Sequence, residues 1–192
     1  MLEHQGPARV VAKGYAELDD GFVVALGAPG MPNGMTATAP VGATIELRGT
    51  PVWDPIPFVK ARPPLPGDPR AAAFAAALIA RDAAAARAAA ERLIGLGPGL
   101  TPEGDDLLAG ALAVSAVLDG PLEGVLPDDL RERTTRLSAT LLELAVRGAV
   151  MEPVHGLLTP DWRQALRRLY DVGHSTGRAY AGGAGAVLSR AA

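Results

Sequence analysis

Residues 95–110 read G-L-G-P-G-L-T-P-E-G-D-D-L-L-A-G, and this stretch is the most informative part of the sequence. Its spaced glycines allow backbone conformations that other residues disfavour, and they let a ligand approach the main chain. Thr101-Pro102 is a helix-start signal, in which the Thr side chain caps free N–H groups and Pro has none to satisfy. Because the N–H groups at a helix start attract anions, the stretch predicts an anion-binding loop in front of a helix.

Two adjacent carboxylates, Asp105 and Asp106, follow within the first turn of the predicted helix. We predict that both are catalytic residues, which hold either Mg²⁺ or an ammonium-like group, since carboxylate oxygens are preferred ligands of that ion. Acidic residues in a first helical turn also complement the helix dipole, so a structural role stays open. The residues of the loop that are predicted to bind ligand are Gly97, Gly99, Leu100, Thr101 and Gly104.

Length and composition restrict the class of protein. The chain has 192 residues, enough for one domain of ordinary size, and it contains no cysteine. Disulfides, thiolate chemistry and Cys-ligated zinc are therefore excluded. A formal net charge of −3 predicts no nucleic-acid and no membrane partner. The N-terminal residues lack a signal-peptide pattern, and no apolar run approaches the ~20 residues of a membrane span, so we expect a cytoplasmic protein.

The chain divides into three regions by composition. Residues 1–50 contain short strand-like runs at 9–12, 22–26 and 44–47, which predict a small antiparallel β-rich part. Residues 51–69 contain seven prolines, which predict an extended connector. Residues 70–192 form a helical part that carries the glycine-rich loop. The predicted fold is therefore α+β, with a bundle of about five helices, in one structural unit.

The five predicted helices follow from alanine content, apolar spacing and start signals. The helix at 105–118 is apolar almost all round, which predicts that it is buried. The others cover residues 70–93, residues 128–147, a stretch that begins at Thr159-Pro160, and residues 177–189.

A second glycine-containing turn, Gly173-His174-Ser175-Thr176-Gly177, precedes the last predicted helix. Histidine is a common general acid or base in enzymes, and His174 is predicted to be catalytic, as an acid, a base or a charge partner. Ser175 or Thr176 could instead be an ordinary helix cap, so a structural role is open here too. The residues predicted to bind ligand at this turn are Ser175, Thr176, Gly177 and Arg178.

Several common catalytic patterns are absent from the sequence. There is no G-x-S-x-G nucleophile elbow, no G-x-x-x-x-G-K-[ST] phosphate loop and no H-E-x-x-H zinc motif. A triad of Ser175, His174 and Asp105 can be assembled on paper, but adjacent Ser and His side chains rarely point at each other. We therefore do not favour triad chemistry.

Residues 97–110 resemble the signature of the AllH-like family, whose usual form is G-x-G-x-G-L-T-P-S-G-D-D-F-L-x-G. Residues 173–177 resemble a later segment of that family, G-H-[ST]-S-G. Two positions depart from the usual pattern: Glu103 and Thr176 both stand where the family commonly has Ser. A Glu at position 103 would alter the charge of the site if the family's Ser binds ligand.

This resemblance implies a component of an oxamate carbamoyltransferase, which acts in allantoin breakdown and exchanges a carbamoyl group between phosphate and oxamate. It also implies a small anionic substrate such as carbamoyl phosphate and a hetero-oligomer with other carbamoyltransferase subunits. The glycine loop would bind the phosphate, the Asp pair would hold a metal or the carbamoyl NH₂ group, and His174 would handle a proton.

Two alternatives stay open at this point. Residues 104–110 faintly echo the G-A-G-D-x-F-x-x-G turn of ribokinase-like enzymes, which would indicate an ATP-dependent small-molecule kinase. That fold requires alternating strands and helices before the turn. In the other alternative, the chain is a non-catalytic subunit or ligand-binding protein, and the glycine-rich loop serves an interface or a regulatory ligand.

Overall fold

A computed structural model of the chain describes residues 5–28, 30–48 and 61–190. The chain divides into two compact units, Met1–Asp54 and Pro55–Ala192. Residues 51–60, the first part of the predicted connector, lie outside the described residues. Across the described ranges, every helix is too short or too polar to form a membrane-spanning segment.

The described residues of the first unit, 5–28 and 30–48, form a five-stranded sheet with the order β4-β3-β2-β1-β5. Neighbouring strands are antiparallel except β3 and β4, which are parallel. The antiparallel sheet predicted for residues 1–50 is confirmed, but its parallel edge pair was not predicted. The buried Asn33, just before β4, is tied to β3, since its side-chain amide donates to the Val23 carbonyl at 2.9 Å. The strands are β1 Gln5–Ala12, β2 Tyr15–Leu18, β3 Val23–Leu26, β4 Gly34–Met35 and β5 Thr44–Arg48.

The second unit is helical in its described residues, 61–190. Residues 61–190 contain eight α-helices, which exceed the predicted number of about five, because two predicted helices are each split and one short helix was not predicted. The α+β class is confirmed. The helices are α1 Ala72–Ile79, α2 Ala83–Ala90, α3 Glu103–Asp119, α4 Leu130–Arg133, α5 Arg136–Val146, α6 Glu152–Gly156, α7 Trp162–Tyr170 and α8 Thr176–Leu188.

The single helix predicted over 70–93 is interrupted at Arg81, which has a φ of 57°. Its guanidinium donates to the carbonyls of Gly120 and Pro121, at 2.7 and 2.6 Å, just beyond the end of α3. Asp82 then caps α2 by accepting the Ala85 N–H at 2.9 Å. Alanine propensity is thus overridden by a cap and by a long-range contact.

The predicted helix over 128–147 is interrupted at Thr134, whose backbone is extended, with a φ of −142°. Thr135 is the N-cap residue of α5, and its hydroxyl oxygen accepts the Ser138 N–H at 3.1 Å. The hydroxyl of Thr thus offers the backbone a local alternative to the helical hydrogen bond.

The core of the second unit is built around α3 and α8. Residues 104–115 of α3 are all buried, which confirms the prediction of a buried helix. A Cβ at Gly110 would collide with the Tyr180 carbonyl, and one at Gly183 would collide with the Leu107 carbonyl. The two helices therefore pack with their backbones in direct contact, and this packing brings the start of α8 close to the start of α3.

Candidate functional site

The two glycine-containing turns meet at a pair of threonine hydroxyls. Thr101 Oγ1 and Thr176 Oγ1 are 3.1 Å apart and share a hydrogen bond. Thr101 ends the loop before α3, and Thr176 is the first residue of α8. Two segments separated by 75 positions in the chain therefore form one cluster in the second unit.

Asp106 lies buried beside this threonine pair. The residue is 2% exposed, and its Oδ2 atom has no hydrogen-bond partner among the described residues. Burial raises the pKa of Asp106 to about 7, and the negative charge of Asp105 adds to the increase. The hydroxyls of Thr176 and Thr101 act against this increase in the pKa of Asp106, because they favour the ionised form. Neither hydroxyl makes a hydrogen bond to Oδ2. Asp106 is thus a buried acid with an unused oxygen.

Asp105 is also 2% exposed, but both of its oxygens are in use. Oδ1 accepts the Gly95 N–H at 2.8 Å, and Oδ2 accepts the Thr134 hydroxyl. Burial raises the pKa of Asp105, and these two hydrogen bonds oppose the increase. The carboxylate of Asp105 therefore links the start of the glycine-rich loop to the residues before α5.

The two carboxylates project in different directions, because successive helical residues are about 100° apart around the axis. Asp106 lies four residues before Gly110 and shares its side of α3, towards α8. Within the described residues, no group of three or more His, Asp or Glu side chains comes together as a metal site. The metal role of Asp105 and Asp106 stays a prediction.

The glycine-rich loop leaves several backbone amides without acceptors. Gly95, Gly97 and Gly99 have positive φ values of 73°, 115° and 101°, which glycine adopts at no steric cost. Over the described part of the chain, five amides of the loop and helix start have no hydrogen-bond acceptor; they belong to Gly97, Gly99, Leu100, Thr101 and Glu103. Backbone N–H groups of this kind can bind an anion.

The first turn of α3 differs from the prediction in two respects. Thr101 does not cap the helix: Pro102 is the N-cap residue, and the Thr101 hydroxyl pairs with Thr176. Three of the helix amides are also engaged internally. Gly104 N–H donates to the Leu96 carbonyl at 2.8 Å, and the Asp105 and Asp106 N–H groups donate to the Pro102 carbonyl at 3.0 and 3.1 Å. The unbonded amides therefore lie in the loop and at Glu103.

The start of α8 contains the other predicted residues. Ser175 is the N-cap residue but makes no side-chain cap hydrogen bond, and the Gly177 N–H donates to the Val172 carbonyl at 3.0 Å. His174 is exposed, and it makes no hydrogen bond or ion pair with the other described residues. Its proton-handling role stays a prediction.

Arg178 lies apart from the threonine pair. It is exposed, its guanidinium stacks 5.1 Å from the centre of the Tyr170 ring, and it borders a cavity of about 320 Å³ that Asp68 and Gly182 also line. Two residues along a helix correspond to about 200° of rotation, so Arg178 points away from Thr176. Its ligand-binding role also stays a prediction.

Glu103, the residue expected to alter the charge of the site, is paired with a cation. Its carboxylate accepts a hydrogen bond from Arg70 at 2.8 Å, and Arg70 also binds Asp68 at 2.7 Å. The contact with Arg70 lowers the pKa of Glu103. Sequence reasoning missed Arg70, Thr134 and Thr135, since each reaches the loop from a remote part of the chain.

Taken together, these features define an α+β protein in which two glycine-containing turns at helix starts enclose a buried carboxylate. The chain belongs to the family described as oxamate carbamoyltransferase subunit AllH, whose model matches residues 93–188. This match covers half of the chain, includes both turns and confirms the resemblance seen in the motifs. At family level, the chain is thus a carbamoyltransferase-related subunit. No curated protein and no solved structure matches it.

Proposed function

We propose that this chain is the component of a carbamoyltransferase that binds a small anionic ligand of the carbamoyl phosphate type. The binding site would consist of the loop residues 97–104 and the start of α8. The observation that carries this proposal is the buried Oδ2 of Asp106, beside the threonine pair, which has no hydrogen-bond partner among the residues that the structure describes. A buried polar atom without a partner costs free energy, and a ligand that supplies the missing hydrogen bond offsets that cost.

In this proposal the phosphate binds to the unbonded amides of the glycine-rich loop, from Gly97 to Glu103. These groups lie in the loop just before a 17-residue helix and at its first residue, and the helix dipole favours negative charge at that end. Arg70 contacts both Glu103 and Asp68, so these three side chains together keep one net negative charge, which the loop amides and the helix dipole must outweigh when an anion binds. Ser175, Thr176 and Gly177 contribute from the start of α8.

Asp106 would interact with the carbamoyl end of the ligand. With a pKa near 7, its carboxyl group exists in both forms at neutral pH. The ionised form accepts a hydrogen bond from the carbamoyl NH₂ group, and the protonated form can donate one. His174, on the exposed turn, would exchange protons with solvent, and Mg²⁺ remains a candidate ion. Oxamate is the second substrate, and other carbamoyltransferase subunits are the proposed partners.

Calorimetric titration of the full chain with carbamoyl phosphate tests the proposal. Asp106→Asn should weaken binding at least about tenfold, because a charge-assisted hydrogen bond contributes roughly 1.5–3 kcal/mol. The matched control is Asp119→Asn, an exposed acid at the other end of the same helix, which should bind as the wild type does. The proposal is wrong if the wild type fails to bind, alone and with its partner subunits, or if Asp106→Asn binds equally well.

The same variants distinguish the alternatives. A non-catalytic subunit should retain the activity of the reconstituted complex with Asp106→Asn, whereas a catalytic Asp106 should lose most of it. The kinase alternative requires alternating strands and helices before the turn at residues 104–110. Residues 61–103 contain no strand, so this alternation is missing from that range. The kinase alternative would be supported again if the wild type bound ATP saturably and Asp106→Asn abolished that binding.

A further inference from the structure

The glycine-rich loop is held at both ends by one short segment, residues 133–135, that precedes α5. At the first end, the Asp105 carboxylate bridges the Gly95 N–H and the Thr134 hydroxyl. Gly95 also packs directly against this segment, since a Cβ there would lie 2.5 Å from the Arg133 carbonyl oxygen.

The other end of the loop is fixed by Thr135. Its hydroxyl donates to the Leu100 carbonyl at 2.6 Å, and its oxygen accepts the Ser138 N–H at 3.1 Å. A hydroxyl has one proton to donate, so Thr135 commits that proton to the loop while it caps α5. The two consecutive threonines therefore connect to opposite ends of the loop, Gly95 and Leu100.

Between these two ends the loop is held less closely. The side chain of Leu96 is 49% exposed, and a Cβ at Gly99 would contact no described residue within 4 Å. The amides of Gly97 and Gly99 have no acceptor in the described part of the chain. Gly97 packs against Glu103 and the Leu96 carbonyl accepts the Gly104 N–H at 2.8 Å, so the conformation of residues 98–100 is the part that depends most on how the Leu100 end is fixed.

We propose that residues 133–135 form a brace that positions the anion-binding amides, with Thr135 and Asp105 as positioning residues and not catalytic ones. This inference rests on the proposed function, since it assigns the brace to the loop that would bind the ligand. Thr135 sets the direction of the Leu100 carbonyl and thus of the peptide units next to it. Losing that contact lets the amides spread over several orientations, and ligand binding must then restore the order.

The test compares Thr135→Val, which removes the hydroxyl, with Thr135→Ser, which keeps it. Thr135→Val should weaken carbamoyl phosphate binding about 3- to 10-fold, the equivalent of one hydrogen bond, and Thr135→Ser should restore it. In the complex with partner subunits, KM should rise while kcat stays within about twofold, because the brace touches no reacting atom. Thr159→Val removes a comparable hydroxyl-to-carbonyl contact, to Gly156 at 2.8 Å, and should change neither constant.

A second measurement separates failure of the brace from failure of the proposed function. Amide hydrogen exchange at Leu96 and Gly104, whose N–H groups donate to the Leu93 and Leu96 carbonyls, should quicken in Thr135→Val without any ligand present. Unchanged exchange together with unchanged affinity overturns the brace. Faster exchange in a protein that binds no carbamoyl phosphate supports the brace and overturns the proposed function. An equal loss of affinity in Thr159→Val would show a general loss of stability and would also overturn the brace.

Discussion

At the residue scale, Asp106 is a buried acid whose surroundings oppose its ionisation. Its pKa is raised to about 7 in the folded protein, against about 3.8 in an unfolded chain. Between these values the folded state binds more protons than the unfolded state, so this group makes the protein less stable as the pH rises from 4 to 7. Above pH 7 the folded protein bears the full free-energy cost of the buried, ionised Asp106, and below pH 4 this cost vanishes.

Asp106→Asn replaces this acid with a neutral side chain of the same shape and should remove the cost. We expect the variant to be about 2–4 kcal/mol more stable than the wild type at pH 8, with the difference disappearing towards pH 4. Urea unfolding at both pH values measures this difference. The buried His155, whose pKa burial lowers to about 4, acts in the opposite direction, but it is common to both proteins and cancels. Equal stability of the two proteins at pH 8 would show that burial does not oppose the ionisation of Asp106.

Sequence reasoning at this scale found residues but not their partners. Thr101, Asp106 and Thr176 were recognised from their motifs, and the structure places them in one cluster. The prediction that Thr101 caps α3 was wrong. Propensity rules describe a helix start in isolation, and they do not include the hydrogen bond between the Thr101 hydroxyl and that of Thr176 in α8. Thr135 stands 35 positions from the carbonyl that it binds, and no local pattern identifies such a contact.

At the element scale, the position of the site depends on how closely α3 and α8 pack. Gly183 faces the backbone of α3, where an added Cβ would meet the Leu107 carbonyl and lie 3.0 Å from the Ala111 nitrogen. Backbone atoms cannot move aside as a flexible side chain can. A methyl group at this position therefore forces the helices apart.

Gly183→Ala should destabilise the protein by about 1–3 kcal/mol, despite the higher helix propensity of Ala. It should also weaken carbamoyl phosphate binding, since separating the helices moves Thr176 away from Thr101. Gly182→Ala is the matched control: its nearest contacts are side-chain atoms of Asp68 and Leu107, at 3.0 and 3.4 Å. Thermal unfolding measures the stability of both variants, and calorimetric titration measures their affinity for carbamoyl phosphate. Equal losses in Gly183→Ala and Gly182→Ala would contradict the argument that α3 and α8 pack closely at Gly183.

The helices themselves show what periodicity can and cannot predict. The buried α3 was predicted almost to its ends, because its apolar run is continuous and its start signal is strong. The breaks at Arg81 and Thr134 were missed, since each is stabilised by a contact or a cap that competes with good helix formers. The parallel β3–β4 pair was also missed, because a two-residue strand leaves almost no periodic signal.

At the scale of the whole molecule, the candidate site belongs to one unit. Thr101, Asp106, Thr135 and Thr176 all lie in the unit Pro55–Ala192, as does the whole family match at residues 93–188. Every described contact that we assign to the site joins residues of this unit. The division into two units therefore predicts that ligand binding can be separated from the sheet.

A fragment that spans residues 55–192 should fold cooperatively and bind carbamoyl phosphate within about threefold of the full chain, because it retains the α3–α8 core and both turns. Circular dichroism with thermal unfolding measures the folding, and calorimetric titration measures the affinity. Asp106→Asn in the fragment serves as the control, and it should weaken binding by the same factor as in the full chain. A fragment that folds but binds much more weakly would show that residues 1–54 contribute to the ligand site. A loss of cooperative unfolding would show instead that the helical unit depends on the sheet for its stability.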